Sequence, residues 1–273
     1  MRPVAPRAEP ESPVLDRRHE LGMFLRARRE RTAPHQVGLP ELGRRRTPGL
    51  RREEVAALAG ISTTWYTFLE QGRPARASGG VLHAIADALH LDAAERSHLD
   101  MLAAHPADDT GRTEPTEYLS AEAARVPALL EPSPAYITGS SLDLLAYNSA
   151  AAALFAPLTD RAGRPPNLAR WVFTEPAARE VLLDWEIVAS GLLARLRANA
   201  GRHPKSPRFT DLVAELRDRS PEADAWWPRY DIAGNAAGTK RVRRRDGREM
   251  ALTYASFQVA EHPEFVLTVY HQA

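Results

Sequence analysis

The segment Arg52-Glu-Glu-Val-Ala-Ala-Leu-Ala-Gly-Ile-Ser-Thr-Thr-Trp-Tyr-Thr-Phe-Leu-Glu-Gln71 constrains this chain more than any other. Apolar residues recur at helical spacing on both sides of one glycine, Gly60, so two short helices meet there at a sharp angle. Such a crossing needs a small residue at the contact, which Ala56 supplies, and a turn that tolerates unusual dihedrals, which Gly60 supplies. Val55, Ala59, Ile61, Tyr66 and Leu69 then point inward together, and Ser62 is placed to cap the second helix. Thr63, Thr64, Thr67 and Phe68 are left facing outward, with Trp65 nearby.

The surroundings read as a five-helix unit. Residues 1–16 are rich in Pro, Arg and Glu and form a disordered lead-in, after which a helix begins near Asp16 with Leu21, Phe24 and Leu25 on one face. Glycines and prolines make Thr32 to Pro48 a loop that carries Arg44, Arg45 and Arg46. Further apolar stripes follow at Val81, Leu82, Ile85, Ala86 and Leu89, and at Ala93, Leu99 and Leu102, with Asp92 as an N-cap. The domain spans 17–105, a polar linker occupies 106–115, and a second domain spans 116–273.

Charge is distributed unevenly although the net charge is only +1. Eleven arginines stand against three acids between Arg17 and Arg52, whereas nine acids stand against three arginines between Glu53 and Asp109. One face of the first domain is therefore expected to be basic, as a phosphate-facing surface requires. Threonine hydroxyls and apolar groups on the outward side of the second helix suit the major groove of double-stranded DNA, so Thr63, Thr64, Thr67 and Phe68 are the expected base readers. Arg44, Arg45, Arg46, Arg51, Arg52, Ser62 and Arg73 are the expected phosphate contacts, the triplet also being suited to a minor groove. Each arginine taken singly also reads as a solvated surface residue, Tyr66 reads as core, and Glu70 reads as support for the helix or for a neighbouring arginine.

The helix pair, its five-helix setting and the terminal Leu69-Glu-Gln-Gly-Arg73 resemble the Cro and phage-repressor class, the XRE family, over about Glu20 to Ala104. The resemblance implies an all-α, phage-repressor-like helix-turn-helix domain that binds specific DNA sequences. The long loop from Thr32 to Gly49 departs from the compact phage repressors.

Beyond the linker the pattern changes. Tyr136 to Gly139 and Leu142 to Tyr147 read as strands, and Asn148 caps a helix running to Phe155. Helices are expected over Pro176–Ala200, Thr210–Arg219 and Pro221–Tyr230. Thr239–Arg245 and Arg248–Phe257 flank Asp246-Gly247, a two-residue hairpin signal, and Phe265–Tyr270 is a last strand. This second domain is α+β, with strands at both ends enclosing a helical middle.

Pro134-Ala-Tyr-Ile-Thr-Gly139, Leu142 to Asn148 with Ala150-Ala-Ala-Ala-Leu-Phe155, Asp184-Trp-Glu186, Gly201-Arg-His-Pro204 and Gly238-Thr-Lys-Arg241 resemble the MmyB-like regulators, as does the run Arg44 to Glu54. The resemblance implies a PAS-like fold, an antiparallel sheet flanked by helices, holding a fatty-acid-like hydrophobic effector. Tyr136, Tyr147, Phe155, Trp171, Trp185 and Tyr254 either line such a pocket or fill a core. Arg195 and Lys240 either meet an acyl carboxylate or lie on the surface. Dimerisation through this domain sets two recognition helices about 34 Å apart, one turn of DNA.

Other classes find little in the sequence. The chain has no cysteine, which removes disulfides, thiol catalysis and cysteine-ligated zinc. It has no nucleophile elbow, zinc-protease helix or dinucleotide glycine motif, and Gly234-Asn-Ala-Ala-Gly-Thr-Lys240 has the wrong spacing for a phosphate loop, so no enzyme and no cofactor is expected. His83 and His90, two turns apart on one expected helix, lack carboxylates to complete a metal site. The first residues are polar where a secretory signal is apolar, and no membrane span appears, so a cytoplasmic, nucleoid-associated protein is expected. A DNA-bound interaction module of antitoxin or scaffold type, without a small-molecule effector, remains the alternative, with Arg241–Arg245 as its feature to examine.

Overall fold

The computed structural model of the protein describes residues 17–40, 49–73, 75, 77–103, 117–155, 158, 165–203, 206–231, 237–260 and 262–272. The expected lead-in, the Arg44, Arg45 and Arg46 triplet and the 106–115 linker lie outside the described residues.

Five helices form the first unit: α1 (Arg17–Arg31), α2 (Arg52–Leu58), α3 (Thr63–Glu70), α4 (Gly79–Ala88) and α5 (Ala93–Ala103). They close over Phe24, Leu25, Val55, Tyr66, Ile85 and Leu99, each no more than 1% exposed. The loop between α1 and α2 is less irregular than its composition implied, because Pro34–Val37 winds into a 3-10 turn with proline at its start. Between α2 and α3 the chain turns at Gly60, φ +67°. There the Ile61 N–H donates to the Ala56 carbonyl (2.9 Å) and the Gly60 N–H to that of Ala57 (3.2 Å), a pair of bonds that requires the left-handed residue. The same device ends α4 with His90 in the left-handed position, φ +51°. His90 therefore lies beyond the helix, and His83 and His90 do not share one helix as their spacing implied. Asp92 caps α5, its Oδ1 accepting from the Glu95 N–H (2.9 Å) while Glu95 reaches back to the Asp92 N–H (2.9 Å).

The second unit is an α+β, PAS-like domain. Its elements are α6 (Ala121–Leu129), β1 (Ala135–Thr138), β2 (Leu144–Tyr147), α7 (Ser149–Leu154), α8 (Leu168–Thr174), α9 (Pro176–Val181), α10 (Trp185–Arg202), α11 (Pro207–Arg219), α12 (Pro221–Trp226), β3 (Ala237–Arg243), β4 (Glu249–Val259) and β5 (His262–Gln272). The strands form one antiparallel sheet in the order β2-β1-β5-β4-β3. Asn148 caps α7 as expected, and its amide also ties that corner to the carbonyls of Pro127 and Ser133 (3.0 and 2.8 Å).

Three local expectations change. The helix expected over Pro176–Ala200 breaks after Val181, because Leu182 bridges Val242 and the Leu183 N–H donates to the Arg241 carbonyl (3.0 Å). The break covers part of the open edge of β3, which pairing needs outweigh helix propensity to close. Helix α8, capped by Asn167, was not expected at all. The β3–β4 hairpin closes not on two residues but on Arg245–Gly247, with the Arg244 N–H bonded to the Arg248 carbonyl (2.9 Å) and Gly247 at φ +81°.

Candidate DNA-binding face and effector cluster

Helix α3 starts from Ser62, whose Oγ accepts the Trp65 N–H (3.2 Å). Thr63 and Thr64 on its first turn are exposed, while Thr67 and Phe68 on the next are half-buried. The Thr67 hydroxyl donates to its own helix at the Thr63 carbonyl (2.8 Å), which leaves its methyl and its lone pairs for a ligand. Gly72, φ +67°, ends the helix and turns Arg73 back so that its guanidinium lies 5.1 Å from the Phe68 ring centre.

The seat of α3 is built around one carboxylate. Glu70, with its side chain 1% exposed, accepts from Arg29 Nε (2.7 Å) on α1 and from Arg52 Nη2 (2.8 Å) on α2. Burial acts to raise its pKa, but the hydrogen bonds from Arg29 and Arg52 outweigh that and hold it below the usual carboxylate value. Gly22 permits the close crossing of α1, since a Cβ there would sit 2.5 Å from the Glu70 carbonyl oxygen. Tyr66 is fully buried, as its core reading required.

Arg52 thus differs from the sequence expectation of a side chain aimed outward at phosphate: two of its nitrogens are committed to Glu70, although 41% of the side chain stays exposed. Arg51 is exposed beside Glu53 (3.9 Å). Spacing in the sequence could not reveal the Arg52 pairing, because its partner lies a whole helix away.

In the second domain, side chains of the sheet meet Trp171 of α8 through Phe155 and meet Arg195 of α10 directly. Tyr136, Phe155, Trp171, Tyr254 and Tyr270 form a connected ring cluster, with Phe155 6.0 Å from both Tyr136 and Trp171 and 5.7 Å from Tyr270. The Tyr136 and Tyr270 hydroxyls share a hydrogen bond (3.0 Å), and Lys240 Nζ donates to the Tyr270 hydroxyl (2.9 Å) from beside the Tyr254 ring (4.6 Å). Arg195 reaches the same face from α10 and donates to the Thr138 hydroxyl. Burial without an adjacent acid pushes its pKa down to about 10. Among the described residues no carboxylate lies within ion-pair distance of Arg195 or Lys240.

Six of the eight residues expected at a pocket are therefore brought together, and two are not. Tyr147 is 42% exposed on the edge strand β2. Trp185 belongs to a separate group with Phe173 and Trp226 (5.9 and 5.8 Å), its indole N–H held by the Val172 carbonyl (2.8 Å). Tyr270, one of the aromatic residues that the sequence offers for a pocket or a core, and Thr138, which it did not single out, complete the cluster. The Trp171 indole N–H is buried without a partner in the described structure.

A family model described as MmyB-like transcription regulator ligand binding domain matches residues 119–273, more than half of the chain. The chain belongs to this family. A second model, described as Helix-turn-helix domain, matches residues 20–99 of this MmyB-like regulator. No curated protein matches the chain. The regulator therefore joins a DNA-binding helix-turn-helix domain to a ligand-binding domain, and both of its families are regulatory. No helix among the described residues is long and apolar enough to cross a membrane, and none of their His, Asp and Glu side chains group to hold a metal. On the edge strand β3, Arg241 and Arg243 are exposed and paired with Asp184 and Glu249, the local pattern of a protected sheet edge.

Proposed function

We propose that this regulator is a cytoplasmic, nucleoid-associated homodimer that lays α3 in the major groove of its operator and answers to a fatty-acid-like effector. Thr63, Thr64, Thr67 and Phe68 read bases. Arg51, Ser62, Arg73 and the open part of Arg52 hold phosphates, with Arg44, Arg45 and Arg46 beside them. The observation that carries the DNA reading is the exposure of Thr63 and Thr64 on a helix whose opposite side is clamped through Glu70 to α1 and α2. Glu70 thereby orients Arg52 before any phosphate arrives, which reduces the ordering cost of that contact. Two subunits joined through the second domain set their recognition helices about 34 Å apart.

For the effector, the supporting observation is a pair of cations facing an aromatic cluster with no acid between them. A buried cation is costly unless an anion meets it, and an acyl carboxylate against Arg195 and Lys240 supplies one while its chain packs on Phe155 and Trp171.

Selection of bound DNA from a random pool tests the first part. Thr64→Ala should relax preference at one or two positions, by about 1–3 kcal/mol per base pair. Arg73→Ala should weaken all sequences alike and reduce the slope of log affinity against log salt by about 0.9. A Thr64→Ala protein with unaltered base preference sinks the readout assignment. Native mass spectrometry of the freshly purified protein and its Lys240→Met variant tests the second: retained lipid in the former and not in the latter is the expected result.

A further inference from the structure

Helix α10 faces two ways. Successive residues on a helix are about 100° apart, so Arg195 and Arg197 project to nearly opposite sides. Arg195 points to the effector cluster. Arg197, 3% exposed, lies between the Trp227 and Tyr230 rings (3.9 and 4.1 Å) and pairs with Glu20 of α1 (3.6 Å), in the DNA-binding domain.

The segment around Tyr230 forms a hook into that domain. Tyr230 is 5% exposed and packs within the core of the first unit, not its own. Its carbonyl accepts from Arg28 (2.8 Å), the Arg229 carbonyl accepts from Arg31 (3.1 Å), and Arg31 pairs with Asp231. Lys240, the second cation of the cluster, follows Asp231 by nine residues. Both cations of the effector cluster are thus on the same stretches of chain as the two parts of the hook.

The hook has the marks of a contact that opens. Tyr230 holds φ +55° without being glycine, a backbone strain relieved on release. The Arg197 guanidinium is held by stacking, by the Tyr230 hydroxyl and by one long ion pair to Glu20 (3.6 Å). Around the buried Tyr230 ring the interface is rimmed by arginine-to-carbonyl bonds, the polar type of contact across which domains move.

We propose that the hook is a latch: an anion drawing Arg195 and Lys240 together moves α10, pulls Arg197 from its seat and frees the helix-turn-helix domain. The inference rests on the effector reading of Arg195 and Lys240. Coupling of this kind requires only that the anion bind the latched and released forms with different affinity.

The test is amide hydrogen exchange on the full chain, read in peptides from α1 and from 227–231, with palmitate as probe and DNA affinity measured alongside. Palmitate should speed exchange in both peptides and weaken DNA binding, each by about tenfold. Glu20→Gln, remote from the effector cluster, should bind palmitate as tightly as the parent or up to about tenfold more tightly, since the latch is already broken, yet reduce both responses to under about twofold. Arg31→Ala, an exposed member of the latch, should give the same result more weakly and controls for a fold defect. Unchanged exchange in palmitate-saturated protein, or a full response in both variants, overturns the latch and leaves the effector reading standing. If palmitate fails to bind, the effector reading falls, and the latch that rests on it falls with it.

Discussion

Glu70 in the DNA-binding domain and Arg195 in the ligand-binding domain are both enclosed charges, and their surroundings are opposite. Glu70 has two arginines from two other helices, and Arg29 also bonds the Leu50 carbonyl (2.9 Å), so the acid is fully answered within the domain. Arg195 has a threonine hydroxyl, with two tyrosines near it and no acid among the described residues. The first arrangement fixes how three helices cross. The second leaves charge for something that is not part of the fold, and the difference between them is the physical distinction between scaffold and site.

The hardest test of that contrast is Glu70→Ala. It should cost about 3–5 kcal/mol in denaturant unfolding, because Arg29 is then left buried with only its longer contact to Glu30 (3.4 Å) as counter-charge. A loss under about 1 kcal/mol would mean that the triad does not hold the domain together.

His98 probes the place where the two regions touch. It is 4% exposed, lies edge-on to Phe24 of α1 (5.1 Å) and has both ring nitrogens unpartnered. Burial, then Arg197 and Arg202 of α10 and Arg28 of α1, push its pKa down to about 3. An unfolded or undocked imidazole takes up its proton near 6.5, so between these values the open form binds more protons than the native one. The His98 contribution should be complete above pH 6.5 and fall by about 1.4 kcal/mol for each pH unit below it, levelling near pH 3. Unfolding measured at pH 7, 6 and 5 checks this, and His98→Leu should flatten the profile.

Arg195→Met should move stability the other way from Glu70→Ala, being neutral or stabilising by about 1–2 kcal/mol in thermal unfolding, since it removes a charge without orphaning another. A loss of similar size would make Arg195 scaffold and end the contrast. The smallest effect belongs to Thr67→Val, which should change stability by less than about 0.5 kcal/mol, because its hydroxyl serves only its own helix.

What the sequence made legible was local. Gly60 announced the turn, Ser62, Asp92 and Asn148 announced their caps, and Asp246-Gly247 announced the β3–β4 hairpin, because each follows from neighbours within a few residues. What it hid depends on distant chain. Nothing near Arg52 says that its partner is Glu70, nothing near Leu182 says that β3 needs an edge covered, and nothing near Trp185 separates it from the Tyr136 cluster. Tyr230 looks like the end of a helix in its own domain, and its burial in the other one is visible only in three dimensions.

The position of β5 carries one more consequence. It lies between β1 and β4, yet it is the last of the five strands to be synthesised. On a translating ribosome the helix-turn-helix has emerged long before this strand, at about 5–20 residues per second. Newly made protein therefore passes through an interval in which the helix-turn-helix segment is complete while the sheet of the sensing half is still two separate hairpins, the state that removal of 262–272 would make permanent.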